Sequence, residues 1–170
     1  MNVKVLVISG SMGAGKTTVL GEVSDVLAAR GIPHAAIDLD AVAAVLLPDE
    51  SSRRLAMQNL AAIFRNFVSA GIERVLLAVA VESRVDLQAL SAAMSEPELT
   101  VCRLLARPET MERRIRLREP GMHQEMFVAK SRSLDAILSA AGVEDFTTPN
   151  EEGDVSDVAL HVLRRAAWIP

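Results

Sequence analysis

Aromatic residues are scarce, 3% of 170 residues, too few to interleave with bases along a single strand. A basic excess is lacking too. Eighteen Lys and Arg face 22 Asp and Glu, giving a net charge of -4 and a pI of about 5.4, so no global positive field exists to hold a polyanion. Nucleic acid is not an expected partner. The single cysteine, Cys102, lies inside an apolar run, which excludes an internal disulfide framework or a cysteine metal cluster and fits a reducing, cytoplasmic setting. Mid-strand packing is its expected role. His34, His123 and His161 show no ligand spacing, and no serine sits in a G-x-S-x-G turn. No run approaches the roughly 18 apolar residues that span a bilayer, and the N-terminal run of six stops at Gly10. A membrane location or export is therefore not expected. Half of the residues are hydrophobic and the mean hydropathy is +0.25, ample for a core. Without repeats, low-complexity tracts or a linker, residues 1–170 read as one domain, a monomer or a homodimer.

Residues 3–8 (VKVLVI) are aliphatic and β-branched, ending at Ser9-Gly10, the pattern of a buried strand. From Gly15 onward Val19, Leu20, Val23, Val26 and Leu27 recur at helical spacing, with Gly31 and Pro33 beyond, a helix stop. Residues 34–39 read as a second strand ending around Asp38 and Asp40. A short segment, 41–47, stops at Pro48, and a helix follows over 51–69 with Leu55, Leu60, Phe64 and Phe67 on one face. Residues 75–81 (VLLAVAV) have no polar interruption and predict a central strand covered on both sides. A helix over 84–94, a fourth strand over 99–106 with Arg103 as its misfit, a helix opened by Pro108, another over 124–140, a weak fifth strand over 143–148 and a last helix over 155–167 complete the order. Trp168 reads as a docking residue for that helix. Regular alternation predicts an α/β fold: a five-stranded parallel sheet with helices on both faces and right-handed crossovers.

Between the first strand and the first helix, Gly10-Ser11-Met12-Gly13-Ala14-Gly15-Lys16-Thr17 satisfies G-x-x-x-x-G-K-[ST] at every position, with Thr18 following. Its glycines let backbone N–H groups converge on phosphate oxygens, and the helix N-terminus adds unpaired donors and a positive dipole end. Lys16 supplies a point charge to the β- and γ-phosphates, and Thr17 offers a hydroxyl to Mg²⁺. Only three lysines exist, Lys4, Lys16 and Lys130. The one in the glycine loop stands apart.

Strand carboxyl ends line the ligand crevice of an open α/β sheet, which places Asp38 and Asp40 toward the phosphates. One would hold a Mg²⁺ water; the other, Asp40 by preference, would accept a proton from an attacking hydroxyl. One of the two capping a helix at Ala41 is the competing use. After the third strand, Glu82 and Arg84 flank the same crevice, with helix capping or a mutual ion pair as alternatives. No aspartate stands there, and Glu82 is the nearest carboxylate. Arg53, Arg54, Asn59 and Arg65 could reach the acceptor from the helices after the second strand, with a solvated helix face as the commoner use of such residues. From Arg107 to Arg118, RPETMERRIRLR is the densest positive stretch. Such a helix is commonly a salt-bridged surface, yet after a fourth strand it also suits closure over ATP, and Arg114 and Arg118 share a face at i, i+4.

Together GSMGAGKTT, the strand-end IDLD and the REPG that closes the arginine segment resemble the small P-loop kinases that phosphorylate metabolites: adenylylsulfate, shikimate and gluconate kinases and chloramphenicol phosphotransferase. The chain is most similar in feel to adenylylsulfate-kinase-like ATP-binding proteins. That resemblance implies a P-loop-kinase-like domain using ATP and Mg²⁺ to phosphorylate a small-molecule acceptor. It gives Lys16 to the phosphates, Thr17 and Asp38 to the metal, Asp40 to the acceptor, and Arg114 and Arg118 to ATP. The chain departs from the adenylylsulfate pattern at Leu39 and Ala41-Val42, and from the shikimate pattern in AVAVESR; the reaction class carries over and the acceptor does not. A nucleotide-gated switch or assembly ATPase acting on a protein or RNA is the alternative. No N/T-K-x-D guanine motif supports GTP.

Overall fold

The computed structural model describes residues 3–45, 49–118 and 121–170, with the side chain of Asp49 left aside. Five strands form one all-parallel sheet: β1 (Lys4–Ser9), β2 (Ala35–Asp38), β3 (Arg74–Ala78), β4 (Glu98–Leu105) and β5 (Phe146–Pro149), in the spatial order β2-β3-β1-β4-β5. The helices are α1 (Lys16–Ala29), α2 (Leu39–Val42), α3 (Asp49–Ser69), α4 (Arg84–Ala93), α5 (Pro108–Arg118), α6 (Gln124–Ala141) and α7 (Val155–Arg165). No helix among the described residues is long and apolar enough to cross a membrane.

The strands lack polar alternation because both faces are covered. Leu6, Ile8, Leu76, Ala78, Cys102 and Leu104 point to one side, where α1 and α7 add Val19, Val23, Leu27, Val162 and Leu163. Val5, Val7, Val75, Leu77 and Val101 point to the other, against Leu60 and Phe64 of α3 and Leu90 of α4. Each fully buried aliphatic side chain contributes about 1.5–3 kcal/mol from removal of its surface from water. Arg103 fits its strand because Nη2 donates to the Asp135 carboxylate (2.9 Å) and to Ser139 Oγ (2.8 Å), with Glu144 at 3.6 Å from Nη1. Cys102 is fully buried, and burial pushes its thiol up to about 11. It packs as the sequence implies.

Connections from β1 and β3 leave toward opposite sides of the sheet, which opens a crevice at their carboxyl ends. Most element bounds shift by a residue or two from expectation, and three of the shifts have a local reason. β3 stops at Ala78 rather than residue 81: Val79 N–H still reaches Ile8 O (3.2 Å), but Val81 N–H is taken by the Ser9 hydroxyl (3.1 Å). β5 starts at Phe146 rather than 143, since the Asp145 carboxylate caps the Val101 N–H (2.7 Å) before the ladder begins. Helix α2 starts at Leu39, so Asp40 stands inside a helix rather than on a strand end. The end of the expected 41–47 segment with Pro48, and the Glu119-Pro120 of REPG, lie outside the described residues.

Candidate functional site

The glycine loop follows β1 and is pressed between neighbours so closely that side chains are excluded. A Cβ on Gly13 would stand 2.6 Å from the Met111 carbonyl oxygen, and one on Gly15 2.4 Å from Asn150 Nδ2, with φ of +80° and +96° respectively. Both positions require glycine for room and for backbone conformation. Gly15 precedes α1 without any side-chain cap, which leaves the first-turn amides directed at the loop's concavity. Lys16 Nζ donates to the carbonyls of Gly10 (3.0 Å) and Ser11 (3.3 Å). Burial lowers its pKa from the ordinary lysine value, opposed by the Asp40 and Asp38 carboxylates and assisted by the Arg118 charge.

Three residues that sequence reasoning did not single out hold this loop. Ser131 of α6 donates its hydroxyl to Met12 O (2.7 Å), while Ser11 Oγ donates to Ser131 O (2.6 Å). Asn150, just after β5, donates Nδ2 to Ala14 O (2.7 Å). Glu151 acts indirectly, accepting from Arg107 N (2.6 Å) and Thr110 Oγ1 (2.7 Å), which ties the start of α5 to the β5–α7 connection. The hydroxyl of Thr110 and the amide of Arg107 hold the Glu151 carboxyl below the usual carboxylate range. The only local signals were a serine mid-helix and an asparagine after a short strand. Neither is distinctive, because their partners lie more than a hundred residues away in sequence.

The arginine segment divides. Arg114 Nη1 donates to Asn150 O (2.9 Å) and Gly13 O (3.3 Å), and Nη2 to Glu151 O (2.7 Å). It is a strut between the glycine loop and the β5–α7 connection, while still lining the cavity. Arg118, one turn on, lines it as well. Arg113 pairs with Glu152, and Arg116 with Glu112 and Glu125, the salt-bridged surface expected of such a helix. Hydrogen bonds from Arg116 and Arg132 keep the half-buried Glu112 carboxyl below its ordinary range.

Across the crevice, Thr17 Oγ1 donates to Asp38 Oδ2 at 2.7 Å. The other oxygen, Oδ1, accepts from the amides of Asp40 (3.1 Å) and Ala41 (3.4 Å). Asp38 is thus the cap of α2, and Asp40 keeps its carboxylate for other work. Asn59 Nδ2 holds the far end of α2 through Val42 O (2.8 Å). After β3, the cap of α4 is Ser83, which accepts from Asp86 N–H (3.1 Å). Glu82 is neither that cap nor, among the described residues, an ion-pair partner of Arg84.

Two cavities meet at this point. The first, about 570 Å³, is lined by Ser11 to Gly13, Gly15 to Thr18, Asp40, Arg114, Arg118 and the Asn150–Val155 connection. The second, about 290 Å³, lies between α2, α3, the end of β3 and α4, and is lined by Asp40, Arg53, Met57, Glu82 and Asp86 among others. Asp40 borders both. Arg53 therefore stands at a cavity rather than only on a solvated face, whereas Arg84 is exposed and lines neither. Ala14 is buried beneath the loop, and Gly10 contributes its carbonyl to Lys16. No group of three His, Cys, Asp or Glu suited to a metal occurs among the described residues. Mg²⁺ does not need one, because it takes one or two protein oxygens with phosphate oxygens and water. The Thr17 hydroxyl and Asp38 carboxylate fit that donor chemistry.

No protein-family model matches the chain, and no curated protein matches it in sequence. Solved structures do match over nearly its whole length. The APS kinase of Mycobacterium tuberculosis, in complex with AMPPNP and APS, superposes with a TM-score of 0.67 at 16% identity, covering 98% of each chain. Shikimate kinase from Acinetobacter baumannii, in complex with shikimate, gives 0.62 at 17% identity, covering 99% of this chain and 94% of that one. A gluconokinase from Sinorhizobium meliloti gives 0.60 at 20%, covering 97% and 94%. The chain is thus similar in structure to small-molecule kinases of the P-loop fold, and at these identities the likeness establishes the fold.

Proposed function

We propose that this protein is a single-domain, cytoplasmic phosphotransferase that uses ATP and Mg²⁺ to move the γ-phosphoryl group onto a hydroxyl of a small molecule. The observation that carries the reading is Asp40, among the described residues the one acidic side chain common to the phosphate cavity and to the smaller cavity beside it. A proton acceptor placed between donor and acceptor pockets is what in-line transfer to an alcohol requires. The kinases of like structure agree with it.

Loop amides and the first turn of α1 would cradle the β- and γ-phosphates, with Lys16 as the point charge. Thr17 and Asp38 would hold Mg²⁺, which when bound neutralises phosphate charge and polarises the transferring group. Asp40 orients the acceptor hydroxyl and takes its proton as the new O–P bond forms. Arg118, facing the cavity beside Lys16, balances charge that builds on the phosphates. Arg114 contributes mainly by keeping the loop and the Asn150–Glu151 connection in register. Glu82 belongs to the acceptor cavity; Arg84 would enter only by moving.

Incubation with MgATP and a pooled library of small alcohols, followed by mass spectrometry, tests the reading. A phosphorylated product that is lost in Asp40→Asn supports it. Tight ATP binding without any product, together with capture of a macromolecular partner only in the ATP state, would replace it with a nucleotide-gated switch.

A further inference from the structure

The smaller cavity has an electrostatic bias that narrows its occupant. Among the described residues its charged lining comprises the carboxylates of Asp40, Glu82 and Asp86 against one guanidinium, that of Arg53; the remainder is aliphatic apart from Met57. Asp86 is turned toward the α4 start, accepting from the Ser83 hydroxyl at 2.8 Å. Asp40 and Glu82 make no ion pair among the described residues, and Arg53 is exposed on α3. An acceptor carrying a carboxylate or phosphate would meet the like charge of Asp40, Glu82 and Asp86 and would have to desolvate it. A protonated amine would instead receive charge-assisted hydrogen bonds from carboxylates already present.

Resting on the phosphotransferase reading above, we infer that the acceptor is a small hydroxyl compound bearing a protonated amine, of amino-alcohol or amino-sugar type. About 290 Å³ admits a ligand of hexose size and not much more. Glu82 and Asp86 face the ammonium group, which leaves the hydroxyl toward Asp40 and the phosphate cavity. In the reaction the acceptor O–H bond breaks and its proton passes to the Asp40 carboxylate. The hydroxyl oxygen forms a bond to the γ-phosphorus, the bond from that phosphorus to the β–γ bridging oxygen breaks, and ADP leaves with the electron pair.

The test uses two size-matched trios on the full chain: serinol, glycerol and glycerate; glucosamine, glucose and gluconate. Turnover with MgATP is followed by phosphorus NMR, and binding separately by the methyl resonance of Met57, assigned by its loss in Met57→Leu. The expected result is a preference of roughly tenfold or more for the amine over the carboxylate in at least one trio, as one charge-assisted hydrogen bond implies. Glu82→Gln should narrow that ratio while Glu82→Lys reverses it. Carboxylates preferred over amines, in turnover or in the Met57 titration, would overturn the inference, as would failure of both amines to bind. Amines that shift Met57 without being phosphorylated, in a chain that phosphorylates nothing, would uphold the cavity's chemistry and sink the kinase reading instead.

Discussion

The two cavities that share Asp40 are built in different ways. The larger cavity is built around the backbone of the glycine loop, which is tied from three directions: Ser131 from α6, Arg114 from α5 and Asn150 after β5. The smaller cavity is made of side chains on α2, α3 and α4, with Asp38 and Asn59 fixing the short α2 at its two ends. A cradle of N–H groups accepts any polyphosphate and must be rigid to be useful, because its donors cannot reorient once the ligand arrives. A wall of side chains can be altered one residue at a time without disturbing the loop. On the proposed function, chemistry and selectivity would thereby stand on separate parts of the fold.

That contrast can be broken or sharpened by substitution. Asp40→Asn, at the boundary, removes the proton acceptor and should lower transfer by about 10²–10⁴-fold with ATP affinity largely kept; steady-state kinetics beside nucleotide titration would reveal whether both fall together, which would place Asp40 wholly on the phosphate side. Lys16→Ala should cost roughly 10²–10³-fold in transfer and weaken ATP binding as well, measured by calorimetry; unchanged ATP affinity would mean that the loop amides suffice. Arg114→Ala strands three carbonyls around the loop and should destabilise the fold by about 2–3 kcal/mol, read by urea denaturation. Its effect on nucleotide affinity should exceed its effect on acceptor KM. Asn150→Ala, losing one buried hydrogen bond to Ala14, should cost about 1–2 kcal/mol by the same assay.

The smallest effect is a protonic one. Burial holds the Lys16 pKa below that of an ordinary lysine in the free protein, and bound phosphate would raise it by favouring the charged form. Between the two values, ATP binding should take up a fraction of a proton. Calorimetry in buffers of different ionisation enthalpy measures this directly; proton release would contradict it. The same shift has a consequence for stability. The unfolded chain keeps its lysine proton to higher pH, so this group's contribution rises as pH climbs through the folded pKa, up to the unfolded value.

Much of this arrangement was legible before any fold was built. The G-x-x-x-x-G-K-T loop could be placed between a strand and a helix because glycine, lysine and threonine at those spacings act locally, through residues adjacent in the chain. The apolar runs at 3–8 and 75–81 announced buried strands, although the end of β3 did not follow from hydropathy: Val79 to Val81 are as apolar as the strand before them, and only the Ser9 hydroxyl ends the ladder. Asp38 and Asp40 were recognisable as a pair, with Asp40 preferred as the proton acceptor, whereas which of the two caps the helix was not. That depends on α2 beginning at Leu39, which gives Asp38 the cap and leaves Asp40 between the cavities.

The sequence by itself determined the phosphate loop, the parallel α/β layout and the presence of acidic groups at the crevice, since each is written in short-range spacing or periodicity. Tertiary structure alone decided that Arg114 is a strut as well as a cavity residue, that Ser131 and Asn150 clamp a loop more than a hundred positions away, and that Arg53 rather than Arg84 lines the smaller cavity. Those outcomes hang on where helices come to rest against one sheet. That is set by the packing of many side chains at once, and no single stretch of the chain encodes it.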